Sequence, residues 1–177
     1  CQDPGLKLSD FVGRKAYIGV DLATRNDFSS VVVVIPDGDN FVVFAWHFLP
    51  EKLVHAPGNE HYWAWKKDGQ ILTTPGAELD LNIVEALVLN LAGLGEGDWG
   101  FADLAALDVE LVVYDPTFAA QMAANWETAG LSVVELRSRA SNLNEPFHKL
   151  IASVEDGRIL TDGDPVLAWM ASNTLQK

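Results

Sequence analysis

Apolar and polar residues alternate along this chain with two different periods, and the places where the period changes divide it into elements. Residues 16–21, Ala-Tyr-Ile-Gly-Val-Asp, form a short apolar run of the length and character of a buried strand. A polar turn over 23–28 separates it from a Val-rich run at 29–35. Asp37-Gly38 and Asp39-Asn40 then supply the residues of a tight reversal ahead of a third run, 41–48. Three strands joined by short turns predict an antiparallel meander.

From 49 to 76 the pattern breaks down under Pro50, Pro57 and Pro75, with one short aromatic helix predicted over 60–67. Beyond it Leu81, Val84, Leu87, Val88 and Leu91 recur at helical spacing, predicting a helix that ends near Gly93 or Gly95. A strand is predicted at 111–114, then a helix at 117–129 with Phe118, Met122 and Trp126 on one face and Gly130 as its stop. A strand at 131–136, a helix at 143–156 carrying Phe147, Leu150, Ile151 and Val154, and a last helix opened by Pro165 complete the pattern. A meander followed by alternating strands and helices predicts an α/β fold, a mixed central sheet flanked by helices. Residues 1–14, with Pro4 and Gly5 and no sustained period, are expected to be a tail or linker stub, the domain running over 15–177.

Composition narrows the class. A chain of 177 residues, 49% of them hydrophobic, suits one domain with a sizeable core. No run approaches the roughly 18 apolar residues of a membrane span, and the pattern of a secretory leader is not visible. Cys1 is the only cysteine, which excludes an internal disulfide or a cysteine-built zinc site and suits a reducing cytoplasm. A net charge of -13 excludes a protein that holds nucleic acid by counterion release over a broad basic surface. Contact with nucleic acid would then be local, metal-assisted or supplied by another domain.

Two acids occupy positions where chemistry is possible. Asp21 ends the first predicted strand, and Asp115 ends the strand at 111–114, just before Pro116. A carboxylate on the last position of a core strand projects from the rim of the sheet. If the two strands are neighbours, the pair suits Mg²⁺ or Mn²⁺, which prefer oxygen ligands. In two-metal hydrolysis, ions about 3.5 to 4 Å apart activate a water and stabilise the leaving oxygen of a phosphodiester, so the acids would act as metal ligands rather than bases. An Asp after a strand is also a common turn former or helix cap, and neither acid decides the matter alone.

Arg25, Arg137 and Arg139 are candidate phosphate contacts, since the guanidinium fork matches phosphate oxygens. Asp27, in a Thr-Arg-Asn-Asp turn, either approaches the same acids or orders the backbone. His55 and His61, six apart with no helical His pair, do not make a zinc site, and the tryptophans are assigned to packing.

The run Tyr17-Ile18-Gly19-Val20-Asp21-Leu22-Ala23-Thr24-Arg25-Asn26-Asp27 resembles the opening strand of the nuclease domain of phage terminase large subunits. Similar too, and in the same order, are Tyr114-Asp115-Pro116 before a helix, Val133-Val134-Glu135-Leu136-Arg137, Asp156-Gly157-Arg158-Ile159 and the segment from Asp164-Pro165 to Ser172-Asn173. The resemblance implies an RNase H-like fold and Mg²⁺- or Mn²⁺-dependent endonuclease cleavage of concatemeric double-stranded DNA during genome packaging. It puts Asp21 and Asp115 on the family's first two metal-binding acids. It further implies a terminase ATPase domain, a small terminase subunit and a portal as partners, and the cytoplasm of an infected or lysogenic bacterium as the setting.

The family's third acid is expected on a helix after Asn173, so the domain is expected to be truncated at its C-terminus; either it lacks one ligand and is weakly active, or a local acid such as Asp162 or Asp164 substitutes. No Gly-rich loop ending in Gly-Lys-Ser or Gly-Lys-Thr is present to serve an ATPase motor. Two other readings stand beside this one. Gly19-Val20-Asp21-Leu22-Ala23-Thr24 also resembles the first phosphate-binding turn of actin-like and sugar-kinase-like ATPases, and a non-catalytic RNase H-like module would serve as a docking unit.

Overall fold

The computed structural model describes residues 1–173, whose strands form one seven-stranded mixed sheet. The meander is present: β1 (Lys15–Asp21) pairs antiparallel with β2 (Ser29–Asp37), and β2 with β3 (Asn40–Pro50). β4 (Leu72–Thr74) lies parallel to the end of β3. On the opposite side β1 pairs parallel with β5 (Asp108–Tyr114), which pairs parallel with β6 (Val133–Glu135). β7 (Ile159–Thr161) runs parallel to the start of β3. The helices are α1 (Glu51–Val54), α2 (Glu60–Lys67), α3 (Asn82–Leu91), α4 (Ala120–Thr128), α5 (Ala140–Glu155) and α6 (Pro165–Ser172).

Side chains alternate across a strand, so the register divides the sheet into two faces of different character. On one face Ala16, Ile18 and Val20 of β1 lie beside Val31, Val33 and Ile35 of β2 and Val112 of β5, all buried. The helical stripe Val84, Leu87, Val88 and Leu91 of α3 covers them, together with Met122 and the fully buried Trp126 of α4. Each large side chain sealed here stabilises the fold by about 1.5 to 3 kcal/mol before conformational entropy is subtracted. The other face, with Tyr17, Gly19 and Asp21 beside Ser30, Val32 and Val113, is only partly covered, and Tyr17 remains 43% exposed. A smaller core of Phe28, Leu49, Val54, Ile71 and Val166 ties α1 and α6 to the far end of β3, with Tyr62 and Trp65 of α2 packed against it.

Several elements depart from the sequence pattern for local reasons. The helix expected from 117 begins at Ala120, because Phe118 adopts a left-handed backbone (φ 65°). That conformation is costly for a bulky residue and turns Phe118 off the buried face of the helix, leaving it 60% exposed while Met122 and Trp126 keep their places. α5 starts at Ala140, earlier than predicted, and its stripe of Leu143, Phe147, Leu150 and Val154 is exposed. β4 and β7 are three residues each, too short for a period to reveal. Residues 1–14 lie along the domain: Gln2 bridges Thr161, the Asp3 amide donates to the Thr161 carbonyl (2.8 Å), and Phe11 is buried in the main core.

Candidate active site at the rim of the sheet

β1, like β3, pairs antiparallel on one side and parallel on the other, with β2 and β5 as its neighbours. In β1 and β5 the register pairs Val20 with Tyr114, so the next residues, Asp21 and Asp115, leave the sheet at the same rim and the same level. The Asp115 amide donates to the Val20 carbonyl at 3.2 Å, which fastens the end of one strand to the other. Neighbouring strands lie about 4.8 Å apart, and the space outside the carboxyl ends of parallel strands is where open α/β sheets bind ligands. Both acids line one open groove of about 250 Å³, with Ser30, Tyr114, Leu136 and Ser138.

The two carboxylates are held differently. Asp115 accepts the Thr117 amide on one oxygen (3.0 Å) and the Ser138 amide on the other (3.1 Å). These donors, those of Thr117 foremost, hold its pKa well below the usual carboxylate range. Asp21 is exposed as a residue, yet its carboxyl end is crowded by protein. Burial pushes its pKa up, and the charges of Asp115 and then Asp27 add to the shift. The result is one firmly ionised carboxylate beside one that resists ionisation, an arrangement a divalent cation would relieve. Oxygen ligands suit a hard cation, so the donor set fits Mg²⁺ or Mn²⁺.

Asp27 lies near enough for its charge to act on Asp21, and it orders its own turn by accepting the Phe28 amide at 2.8 Å. Arg137 lies close enough to Asp115 to respond to its charge and is ion-paired with Glu135 at 2.7 Å. Arg25 pairs with Glu78 and lines a separate hollow with Lys52 and His55, so it is not brought into the acid groove. Asp162 and Asp164, the local substitutes for a third acid, do not line it either. Asp164 accepts the Val166 amide (2.7 Å) and the Leu167 amide (3.0 Å) at the start of α6, and both acids border another hollow with His47. Among the described residues no group of three or more His, Cys, Asp or Glu side chains is gathered in a way that could hold a metal. The third acid expected after Asn173 lies outside the described residues. Ser30 and Ser138 were not singled out from the sequence. Ser30 has a visible signal, a polar residue at the start of a Val-rich strand opposite Asp21, but only the pairing register makes it meaningful.

A β-meander continued by parallel strands, with acids on the ends of the first strand and of the first strand parallel to it, defines an RNase H-like α/β domain. The chain belongs to the family described as terminase large subunit, endonuclease domain, which it matches over residues 5–177. It is 26% identical over 168 residues to the terminase large subunit of Enterobacteria phage HK97, covering 92% of this chain and 31% of that protein. It is 24% identical over 192 residues to Protein YmfN of Escherichia coli strain K12, covering all of this chain and 39% of that one. The crystal structure of the HK97 bacteriophage large terminase superimposes with a TM-score of 0.66 at 26% identity, over 90% of this chain and 33% of that one. This chain thus spans about a third of the length of the relatives it matches. The family match decides against the actin-like alternative. Among the described residues no helix is long and apolar enough to cross a membrane.

Proposed function

We propose that this domain is a Mg²⁺- or Mn²⁺-dependent endonuclease that cuts concatemeric double-stranded DNA during phage genome packaging, with Asp21 and Asp115 as the metal-holding acids. The observation that carries the reading is the register of β1 against β5, which sets these two side chains next to each other on an open groove. Bound there, a pair of divalent ions would supply an activated water and charge stabilisation for the leaving oxygen. Water adds to the phosphorus as the P–O3′ bond breaks; its proton passes to solvent and O3′ takes one up, leaving a 5′-phosphate and a 3′-hydroxyl.

The chain's own part is to hold and orient. The amides of Thr117 and Ser138 keep Asp115 ionised and fixed, and the partly buried Asp21 gains most from a cation because it is the acid whose charge is least well supported. Arg137 stands beside the groove as a phosphate contact; its surface ion pair with Glu135 is weak enough to exchange for a phosphate. Arg25 reaches DNA only away from the groove, at the hollow it shares with Lys52. With a net charge of -13, most of the affinity for DNA comes from elsewhere in a longer protein, in keeping with a terminase ATPase domain, a small terminase subunit and a portal as partners in the cytoplasm of the host bacterium.

The test is cleavage of supercoiled plasmid. The chain with Mn²⁺ or Mg²⁺ is expected to nick and linearise it, and chelation or Asp21→Ala to abolish cutting. Equal cutting by wild type and Asp21→Ala would remove this groove from the reaction.

A further inference from the structure

Ser30 is the cross-strand partner of Asp21, so their side chains stand on the same face with Cβ atoms about 5 Å apart, and both line the groove. Behind Ser30 runs a chain of buried polar contacts. The Ser30 hydroxyl is 3.1 Å from His47 Nδ1, and His47 Nε2 is 3.1 Å from Asp164 Oδ2. His47 is 1% exposed and Asp164 9%, although position 47 belongs to an otherwise mostly apolar strand. A buried imidazole and carboxylate are costly unless every polar atom has a partner, and here both ring nitrogens have one.

For a neutral His47 ring the order of the contacts sets their direction. Burial works against the charge of Asp164, but the His47 contact and the amides of Leu167 and Val166 outweigh it, so its pKa lies below the ordinary value. An ionised carboxylate only accepts, hence His47 Nε2 carries a hydrogen and donates to it. In a neutral ring Nδ1 is then bare, and the Ser30 hydroxyl donates to it. The Ser30 oxygen is left with only lone pairs to offer the groove. We propose that Ser30 is a third, uncharged oxygen acceptor of the cation site, holding water in the hydration shell of a divalent ion bound by Asp21 and Asp115, and that His47 and Asp164 are positioning residues that fix its direction. An uncharged acceptor adds a contact to the hydrated cation without adding to the repulsion between the two acids. The inference rests on reading the groove as a cation site.

Two measurements on the full chain test it. Long-range ¹H–¹⁵N NMR of the metal-free protein should show His47 as a neutral ring protonated on Nε2; a ring protonated on Nδ1, or on both nitrogens, overturns the assigned direction. Calorimetric titration with Mn²⁺ should show binding weakened about tenfold or more in Ser30→Ala, the scale typical of outer-shell partners, and retained in Ser30→Thr. Asp115→Asn serves as the reference. If Asp115→Asn binds Mn²⁺ as wild type does, the cation site itself is wrong. If Asp115→Asn loses binding while Ser30→Ala keeps wild-type affinity, only the role of Ser30 is overturned. The same result for Ser30→Thr as for Ser30→Ala would also sink it, since the hydroxyl would then be irrelevant.

Discussion

The two faces of the central sheet use the same strands for opposite ends. Odd and even positions of β1 differ by one step along the chain, yet Ala16, Ile18 and Val20 are sealed under α3 and α4 while Gly19 and Asp21 line an open groove and Tyr17, on the same face, stays exposed. The covered face is where apolar area is removed from water, so it carries the stability. The open face is where a carboxylate can stay ionised and still meet a ligand. The strands that carry Asp21 and Asp115 to the rim are anchored by the side chains pointing the other way. Placing reactive groups on elements held by a core behind them is a general means of fixing their geometry.

That division can be broken on either side, and the largest effect belongs to the open face. Asp115→Asn should lower metal-dependent plasmid cleavage by about a thousandfold or more, three factors of ten in rate, while circular dichroism reports an unchanged fold. On the covered face Leu87→Ala should cost about 3 kcal/mol in urea unfolding, because it leaves a cavity in a site with no exposure, and should spare cleavage per folded molecule. Tyr17→Thr, on the open face, should cost under about 1 kcal/mol by the same assay. Comparable losses from Leu87 and Tyr17 would mean that the two faces share the load.

The smallest effect separates the two acids. Burial and the neighbouring Asp115 raise the pKa of Asp21 in the folded chain, so the stability tied to its protonated form is present below the ordinary carboxylate range and is lost as pH rises through the raised value. Without metal, Asp21→Asn should therefore melt above wild type at about pH 7.5 and lose that advantage near about pH 3. Saturating Mn²⁺ should raise the melting temperature of wild type and not of the variant. A variant that melts below wild type at neutral pH would show that the charge on Asp21 is supported rather than opposed.

Much of this was legible in the chain. The meander, the amphipathic α3 and the Pro-opened α6 follow from short-range periods, which local backbone geometry imposes whatever the surroundings. The strand-end positions of Asp21 and Asp115 were legible for the same reason. Arg25 shows where that reasoning stops: it is four residues from Asp21 in the chain and outside the groove, whereas Ser138, more than a hundred residues away, donates its amide within it. Phe118 shows another limit, since the phase of a helical pattern cannot reveal that the backbone turns left-handed just before the helix begins.

By itself the sequence determined where the longer strands and helices run, which residues are apolar enough to form a core, and which acids end their strands, because each of these is set by residue type and spacing. Only the tertiary structure decided that β5 lies next to β1 with Val20 opposite Tyr114, and that Ser30 faces Asp21 with His47 and Asp164 behind it. Strand order and register are settled by long-range packing and hydrogen bonding, in which a shift of one residue would send every one of these side chains to the other face.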